Sequence, residues 1–363
     1  PNWIDGEFRN QQPTSVMVGK DGFVEAWWKF LTNSTPDLKP AAPLPCTHTD
    51  LSALDPSRDI AVWLGHSGLY FQLAGLRFLV DPVYSAYASP VSFINKSFEF
   101  RGGYPFTAKT TPPIDLLILT HDHWDHLDCE TIKALDHKVK RYAVPLGVNS
   151  HLLAWGINPD KILVFDWYDA ARFTEPKPEV VHPFHKPEKR LQPAEWKSGA
   201  LQAPAIYFFP SRHFSGRTLK RDQTLWGSYV IEAGGKRLYL SGDGGNGPHF
   251  KEIGDLFRDS GGFDLAFIED GQYNADWAEI HMAPEGSVKA ATEVGAKSVI
   301  PIHNCRYALA RHAWYDPLER IRMASHLADW KLLTPKVGDV VPIGDLTIEF
   351  PAWWRDVPKS ASS

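Results

Sequence analysis

The segment Leu116–Asp128, LLILTHDHWDHLD, constrains this chain more than any other. Four branched apolar residues, Leu116 to Leu119, bounded by polar ones, read as a buried strand. The run stops at Thr120, and His121, His123, Asp125 and His126 follow at once. Buried imidazoles each need a hydrogen-bond partner, and a buried carboxylate needs a counter-charge. A divalent cation meets both needs, because imidazole nitrogen and carboxylate oxygen suit zinc. In extended backbone His121 and His123 point the same way and can reach one ion. Asp125 and His126, past the bend, can turn to a second. A lone His-x-His is usually a surface pair, but the full pattern behind an apolar strand points to two metals side by side.

At 363 residues the chain can bury a sizeable core, as one large domain or two ordinary ones. Hydrophobic residues make up 43% and charged residues 22%, the balance of a soluble globular protein. The formal charge is 38 − 43 = −5, so no global basic surface argues for nucleic acid. No apolar run approaches the ~18–20 residues of a membrane span. The chain opens at Pro1 with no signal-peptide pattern, which is compatible with a processed N-terminus and with a cytoplasmic or periplasmic setting. Cys46, Cys129 and Cys305 lie far apart and form no disulfide framework.

Residues 1–59, rich in Pro, Asn and Thr, read as an N-terminal arm. Within it Phe23–Leu31, as a short helix, gathers Phe23, Trp27, Phe30 and Leu31 on one side. That side suits docking on the main domain or, with its Trp and Lys, contact with a lipid interface. One domain is expected over 60–350, with a C-terminal tail over 351–363. It opens with three short strands, IAVWLGH, LYFQLAG and LRFLVDP, divided by Gly-containing turns. The hairpin Tyr70–Pro82 has an echo in Tyr229–Asp243, where the second strand again carries an Arg and ends at an Asp. The echo points to two related halves. A helix is expected over about 129–137, then strands RYAVPL and KILVFDW. Residues 169–204, crowded with Pro and charge, read as an inserted loop, with His182 and His185 as loop residues. Beyond it, apolar strands lead to His213, Asp243, Asp270 and His303. A helix from Pro284 to Gly295 precedes the last of these, and WKLLTPKVGDVVPIG closes the sheet. Side chains at strand ends gather at one edge of a layered fold, so a shared site is geometrically reasonable.

His-x-His-x-Asp-His, with Asp243 in LYLSGD and His303 in VIPIH, resembles the metallo-β-lactamase superfamily of binuclear hydrolases. The resemblance implies an αββα sandwich, two facing mixed sheets with helices outside. It also implies two zinc ions, the first on His121, His123 and His213 and the second on Asp125, His126 and His303, with Asp243 bridging. Oxygen-reducing di-iron members of the superfamily carry Glu where this chain has His123, which favours zinc and hydrolysis. GHSGLYFQL, DPVYSAYASPVSF, SRHFSGRTLKRDQTLWGSY, SGD with FKEIGDLF, and IHMAPEGSV narrow the match. From Ile60 to about Ala310 the chain resembles the N-acyl-phosphatidylethanolamine phospholipase D-like branch. That branch is implied to cleave a phosphodiester, releasing N-acylethanolamine and phosphatidic acid.

On this resemblance two zincs lower the pKa of a bridging water toward ~7 and polarise the oxygen under attack. Asp125 is expected to orient the nucleophile as well as bind metal. His281 matches a family histidine near the metals, placed to bind phosphate or protonate the leaving group. Arg212, Arg217, Lys220 and Arg306 flank the expected ligands, and Arg217 and Arg306 are the expected substrate contacts. Asp122, Asp128 and Asp222 lie near enough in sequence to accept from ligand histidines. No G-x-S-x-G is present, and Ser67 in GHSGL lacks the strand-to-helix elbow of a serine nucleophile.

The chain departs from the branch in the long 169–204 segment, in PIHNCRYALA after the last ligand, and in Glu269–Asp270 beside the site. Two alternatives therefore stand beside a phospholipase. One is a lactonase or other small-ester or phosphodiester hydrolase on the same metals. The other, of a different class, is a non-catalytic metal-binding protein. Expected partners are a phospholipid or small-molecule substrate and a peripheral membrane contact. A homodimer is compatible with the sequence, and nucleic acid is not expected.

Overall fold

A computed structural model describes residues 2–17, 35–172, 179–181 and 204–360. The expected segment Phe23–Leu31 and both His182 and His185 lie outside the described residues. Two large sheets carry the fold. The seven-stranded sheet runs, in spatial order, Val340–Pro342, Ile60–Trp63, Leu69–Leu73, Leu76–Val80, Ile114–Ile118, Val139–Pro145 and Ile162–Phe165. Its first three pairings are antiparallel and the rest parallel. The eight-stranded sheet runs Glu179–Val181, Ala170–Arg172, Ala205–Phe209, Ser228–Ala233, Lys236–Leu240, Leu265–Glu269, Ser298–Ile302 and Lys331–Leu332. It too changes from antiparallel to parallel after a hairpin, at Lys236–Leu240.

Each half thus builds a hairpin and then adds parallel strands, which is what the echo between Tyr70–Pro82 and Tyr229–Asp243 encodes; helices make the crossovers except the first of the first half, which is the helix-free stretch 81–113. Alternation along each strand sorts side chains to two faces. In Leu265–Glu269, Leu265 and Phe267 join the core shared with Phe78 and Leu116 of the other sheet. Ala266 and Ile268 instead pack under the helices His249–Phe257 and Pro284–Val294, against Phe250, Ile253 and Val294. Each such buried Leu or Phe contributes about 1.5–3 kcal/mol. The fold is the αββα sandwich.

Two stretches differ from their sequence reading. Within 169–204, Ala170–Arg172 and Glu179–Val181 pair antiparallel and extend the second sheet, so this stretch is not all loop. The closing stretch WKLLTPKVGDVVPIG supplies one edge strand to each sheet, Lys331–Leu332 to the second and Val340–Pro342 to the first. Residues 2–10 lie against the main domain, with Phe8 N–H donating to Asp222 O at 2.8 Å.

Candidate metal centre

Ile60–Trp63, Leu76–Val80 and Ile114–Ile118 share one direction within the first sheet, and Ala205–Phe209, Lys236–Leu240, Leu265–Glu269 and Ser298–Ile302 share one within the second. Their C-terminal ends deliver His66, Asp81, His121–His126, His213, Asp243, Glu269 and His303 to one edge. All seven expected ligands meet there, in two groups. Donor atoms of His121, His123, His213 and Asp243 lie within 4.8 Å of one another. The same holds for His66, Asp125, His126 and His303. Asp243 joins the groups: its Oδ2 is 3.1 Å from His126 Nε2 and 3.9 Å from both His121 Nε2 and His213 Nε2. Its Oδ1 is 3.2 Å from His303 Nδ1.

The far sides of the rings are held by groups from other elements. His126 Nδ1 meets Asp81 Oδ2 at 2.7 Å, and Thr120 fixes Asp81 through its N–H and Oγ1 at 2.9 and 2.6 Å. His213 Nδ1 donates to Ile280 O at 3.1 Å, and His121 Nδ1 lies 3.0 Å from Thr120 Oγ1. His66 Nε2 sits 2.7 Å from Asp125 Oδ2, and Ser67 Oγ 3.0 Å from His303 Nδ1. Asn10 of the arm brackets the His213 backbone, donating to its O at 2.7 Å and accepting from its N–H at 3.1 Å. His66, Asp81 and His303 all hold left-handed backbone, φ 54°, 40° and 67°. Such conformations cost about 1–3 kcal/mol each and cluster where a site demands them.

Burial lowers the pKa of His121, His213 and His303 well below the usual range and brings His123 to about 4, so these rings are neutral. Burial also opposes charge on His126, yet Asp243, Asp125 and Asp81 together hold it well above the usual value. Burial pushes Asp243 up to about 7. On Asp125 burial acts upward too, but His126, His66 and His303 hold it well below the usual carboxylate range. The rings crowd nitrogen against nitrogen: His123 Nδ1 lies 3.0 Å from His121 Nε2 and 3.1 Å from His213 Nε2. Asp243 Oδ1, buried beside them, makes no well-aligned hydrogen bond among the described residues, although His303 Nδ1 lies 3.2 Å away. Three imidazole nitrogens and a buried carboxylate oxygen turned on one point form a donor set that fits a divalent cation.

Not every expected residue takes its expected place. Arg306 is buried, its guanidinium 3.7 Å from the Tyr104 ring centroid and donating to Ser85 O at 3.3 Å. Arg217 lies over Trp124 at 3.9 Å and donates to Leu127 O and Asp122 O at 2.6 and 3.2 Å. This placement makes both arginines supports of the ligand loop and its neighbour. Asp122 accepts from Gly216 N–H, Asp128 caps the helix Cys129–Leu135, and Asp222 accepts from Ser215 N–H. The carboxylate that orients a ligand ring is Asp81 instead. The sequence signal for it was the second-strand Asp of the repeated hairpin. His281 does reach the centre: a ring nitrogen of it lies within 4.8 Å of donors on Asp243 and His303.

Residues 76–304 match the family described as beta-lactamase superfamily domain. An uncharacterised protein of Mycobacterium tuberculosis is 32% identical over 361 residues, which cover 98% of this chain and 87% of that one. This chain belongs to the β-lactamase superfamily. Within the superfamily, N-acyl-phosphatidylethanolamine-hydrolyzing phospholipase D 1 of Caenorhabditis elegans is 27% identical over 300 residues. That match covers 78% of this chain and 76% of the worm protein. The structure of CmlA, a diiron β-hydroxylase from Streptomyces venezuelae, shares the fold at TM-score 0.52 and 15% identity, over 79% of this chain and 55% of that one. The superfamily fold and its paired donor groups make the protein a metal-dependent hydrolase with a phospholipase D-like branch as its kin.

Proposed function

We propose that the protein is a two-zinc phosphodiesterase of phospholipase D type, acting on N-acyl phosphatidylethanolamine-like lipids. The observation that carries this is a buried set of five histidines and two aspartates, joined at Asp243, in a chain kin to the worm phospholipase over most of its length. His121, His123 and His213 would hold one ion, Asp125, His126 and His303 the other, and Asp243 both. Such ions supply an acidified water and Lewis-acid polarisation of the phosphoryl oxygen. The chain's own contribution is to fix donors in place: Asp81 orients His126, and His66 orients Asp125. His281, beside but outside the two triads of histidine and aspartate, is assigned to the substrate rather than to metal.

Exposed apolar side chains supply a surface for the lipid. Phe93 and Ile94 stand out of a loop whose base at Ser85 bonds Asp128 at 2.7 Å. Leu219 stands fully exposed two residues beyond Arg217, itself bonded to Leu127 O. Both loops therefore grip the segment that carries the ligands, and both offer apolar side chains to a phospholipid surface.

Zinc-loaded protein should release N-acylethanolamine and phosphatidic acid from an N-acyl phosphatidylethanolamine, read by mass spectrometry, and Asp125→Ala should release neither. Two bound zincs without release would discard the lipid and turn the search to lactones and small phosphodiesters.

A further inference from the structure

His213 reaches the first metal position from a short coil that follows the strand Ala205–Phe209. Outside the sheet ladder its buried backbone N–H and C=O need partners of another kind. The carboxamide of Asn10 meets both, Nδ2 donating to His213 O at 2.7 Å and Oδ1 accepting from His213 N–H at 3.1 Å. The same Oδ1 accepts from Trp226 Nε1 at 3.1 Å. An indole N–H only donates, so this contact fixes which end of the amide faces which group. The arm reaches the His213 ring as well. Nδ1 donates to Ile280 O at 3.1 Å, and the adjacent Glu279 carboxylate accepts from Ser15 N–H at 2.6 Å and pairs with Arg212 at 3.0 Å. Arg212 in turn donates to Thr14 Oγ1 and Pro13 O, both at 3.1 Å. The other side of the Ile280 turn is held from the interior, where His281 Nδ1 bonds Glu269 Oε1. Residues 10–15 thus clasp the backbone of His213 and the turn that accepts from its ring. The second metal position is braced from the first sheet, His126 by Asp81 and His303 N–H by His66 O at 3.0 Å.

We infer that the amino-terminal arm is a strap of the metal centre: Asn10 positions His213, so the docked arm sets the affinity of the first metal position, and the metal bound there holds the arm down. The inference rests on the reading above that His121, His123 and His213 hold one ion. Asn10 touches neither ion nor substrate and acts only through the ligand. Without it the coil keeps a buried N–H and C=O unmet, and relieving them moves the backbone that aims the ring at His121 and His123. A ligand that is not held in place binds its metal more weakly. Linkage makes the coupling reciprocal: the factor that the docked arm adds to metal affinity is the factor that the bound metal adds to docking.

The test uses the full-length chain, zinc alone as probe, chelator competition for the two affinities and hydrogen exchange for the arm. Asn10→Ala should weaken one zinc about 10–100-fold, the usual cost of losing a partner behind a ligand, and leave the other at its wild-type affinity. Asn2→Ala removes a different arm bond, Asn2 Nδ2 to Asp166 Oδ1 at 2.7 Å, and should leave both affinities unchanged. His213→Ala should retain only the second zinc, and adding Asn10→Ala to it should weaken that zinc no further, because Asn10 acts through His213. Stripping zinc from the wild type should speed exchange at the Phe8 and Arg9 N–H groups, which bond Asp222 O and Asn2 O, by the factor lost in Asn10→Ala. Equal weakening of both zincs, an equal loss in Asn2→Ala, further loss in the double variant, or arm exchange that ignores zinc would each overturn the inference. Should Asn10→Ala not fold, Asn10→Asp decides, since it keeps the acceptor for His213 N–H but sets an oxygen against His213 O. Selective loss of one zinc there supports the strap, and wild-type affinity for both overturns it. A wild type that holds no zinc sinks the two-metal reading itself, whereas two zincs in both the wild type and Asn10→Ala, equally tight, sink the strap alone.

Discussion

His126 is gripped at both ring nitrogens by aspartates that occupy equivalent places in the two halves, Asp81 at 2.7 Å and Asp243 at 3.1 Å. One orients the ring and the other shares its target. Replacing Asp81 by Asn should lower affinity for the metal on His126 about 10–100-fold, the usual cost of losing such a partner, with the far-UV circular dichroism unchanged. Chelator competition measures it. The seven donors that converge were legible because four of them sit within one short segment and the others follow apolar strands. His66 and Glu269 were harder to assign. His66 lies in GHSGL, where the serine drew attention, and nothing local reveals that its ring reaches Asp125, 59 positions on, at 2.7 Å. Glu269 showed itself only as a departure from the branch pattern. Its contact with His281 depends on where the strand ends relative to the turn after it. Sequence could not show where the two arginines turn: a cation beside a ligand in sequence can point back into the protein and find aromatic faces and carbonyls, as Arg306 and Arg217 do.

At the scale of elements, the turn after Lys236–Leu240 sets Asp243. Gly242 has φ +59°, and a Cβ there would meet Gly227 O at 2.6 Å and Thr120 Cβ at 3.1 Å. Gly242→Ala should destabilise the fold by more than about 1 kcal/mol, read as a fall in Tm. Far from the site, Glu319 on the helix Asp316–Ala324 bonds Arg355 and Trp354 of the C-terminal turn. The Arg355 hydrogen bonds bring the Glu319 carboxyl down to about 2 from 4.5. A depressed folded pKa contributes stability that is present above the unfolded value and lost as pH falls through the folded one. The Tm difference between wild type and Glu319→Gln should therefore be full near pH 6 and vanish toward pH 2. Core strands were readable from their apolar runs. The edge strands within 169–204 were not, since three residues such as Ala170–Arg172 carry too little pattern to show against a background of proline and charge.

Across the whole molecule the arm belongs to the site, because Asn10 bonds both backbone groups of His213 and also accepts from Trp226 Nε1 at 3.1 Å. Composition alone describes it as an appendage, since the contact joins positions 203 apart. If the exposed loops seat the protein on lipid, Phe93→Ser with Leu219→Ser should slow hydrolysis on phospholipid vesicles and leave hydrolysis of a soluble short-chain diester unchanged. Among the described residues no helix is long and apolar enough to cross a membrane.

Every step depends on two metals meeting at Asp243. The most direct test is the metal content of purified, zinc-equilibrated protein by mass spectrometry, beside Asp243→Ala. Two zincs per chain in the wild type, with most of that metal and all hydrolysis lost in the variant, is the expected result. An Asp243→Ala protein that keeps both metals and full activity would contradict it.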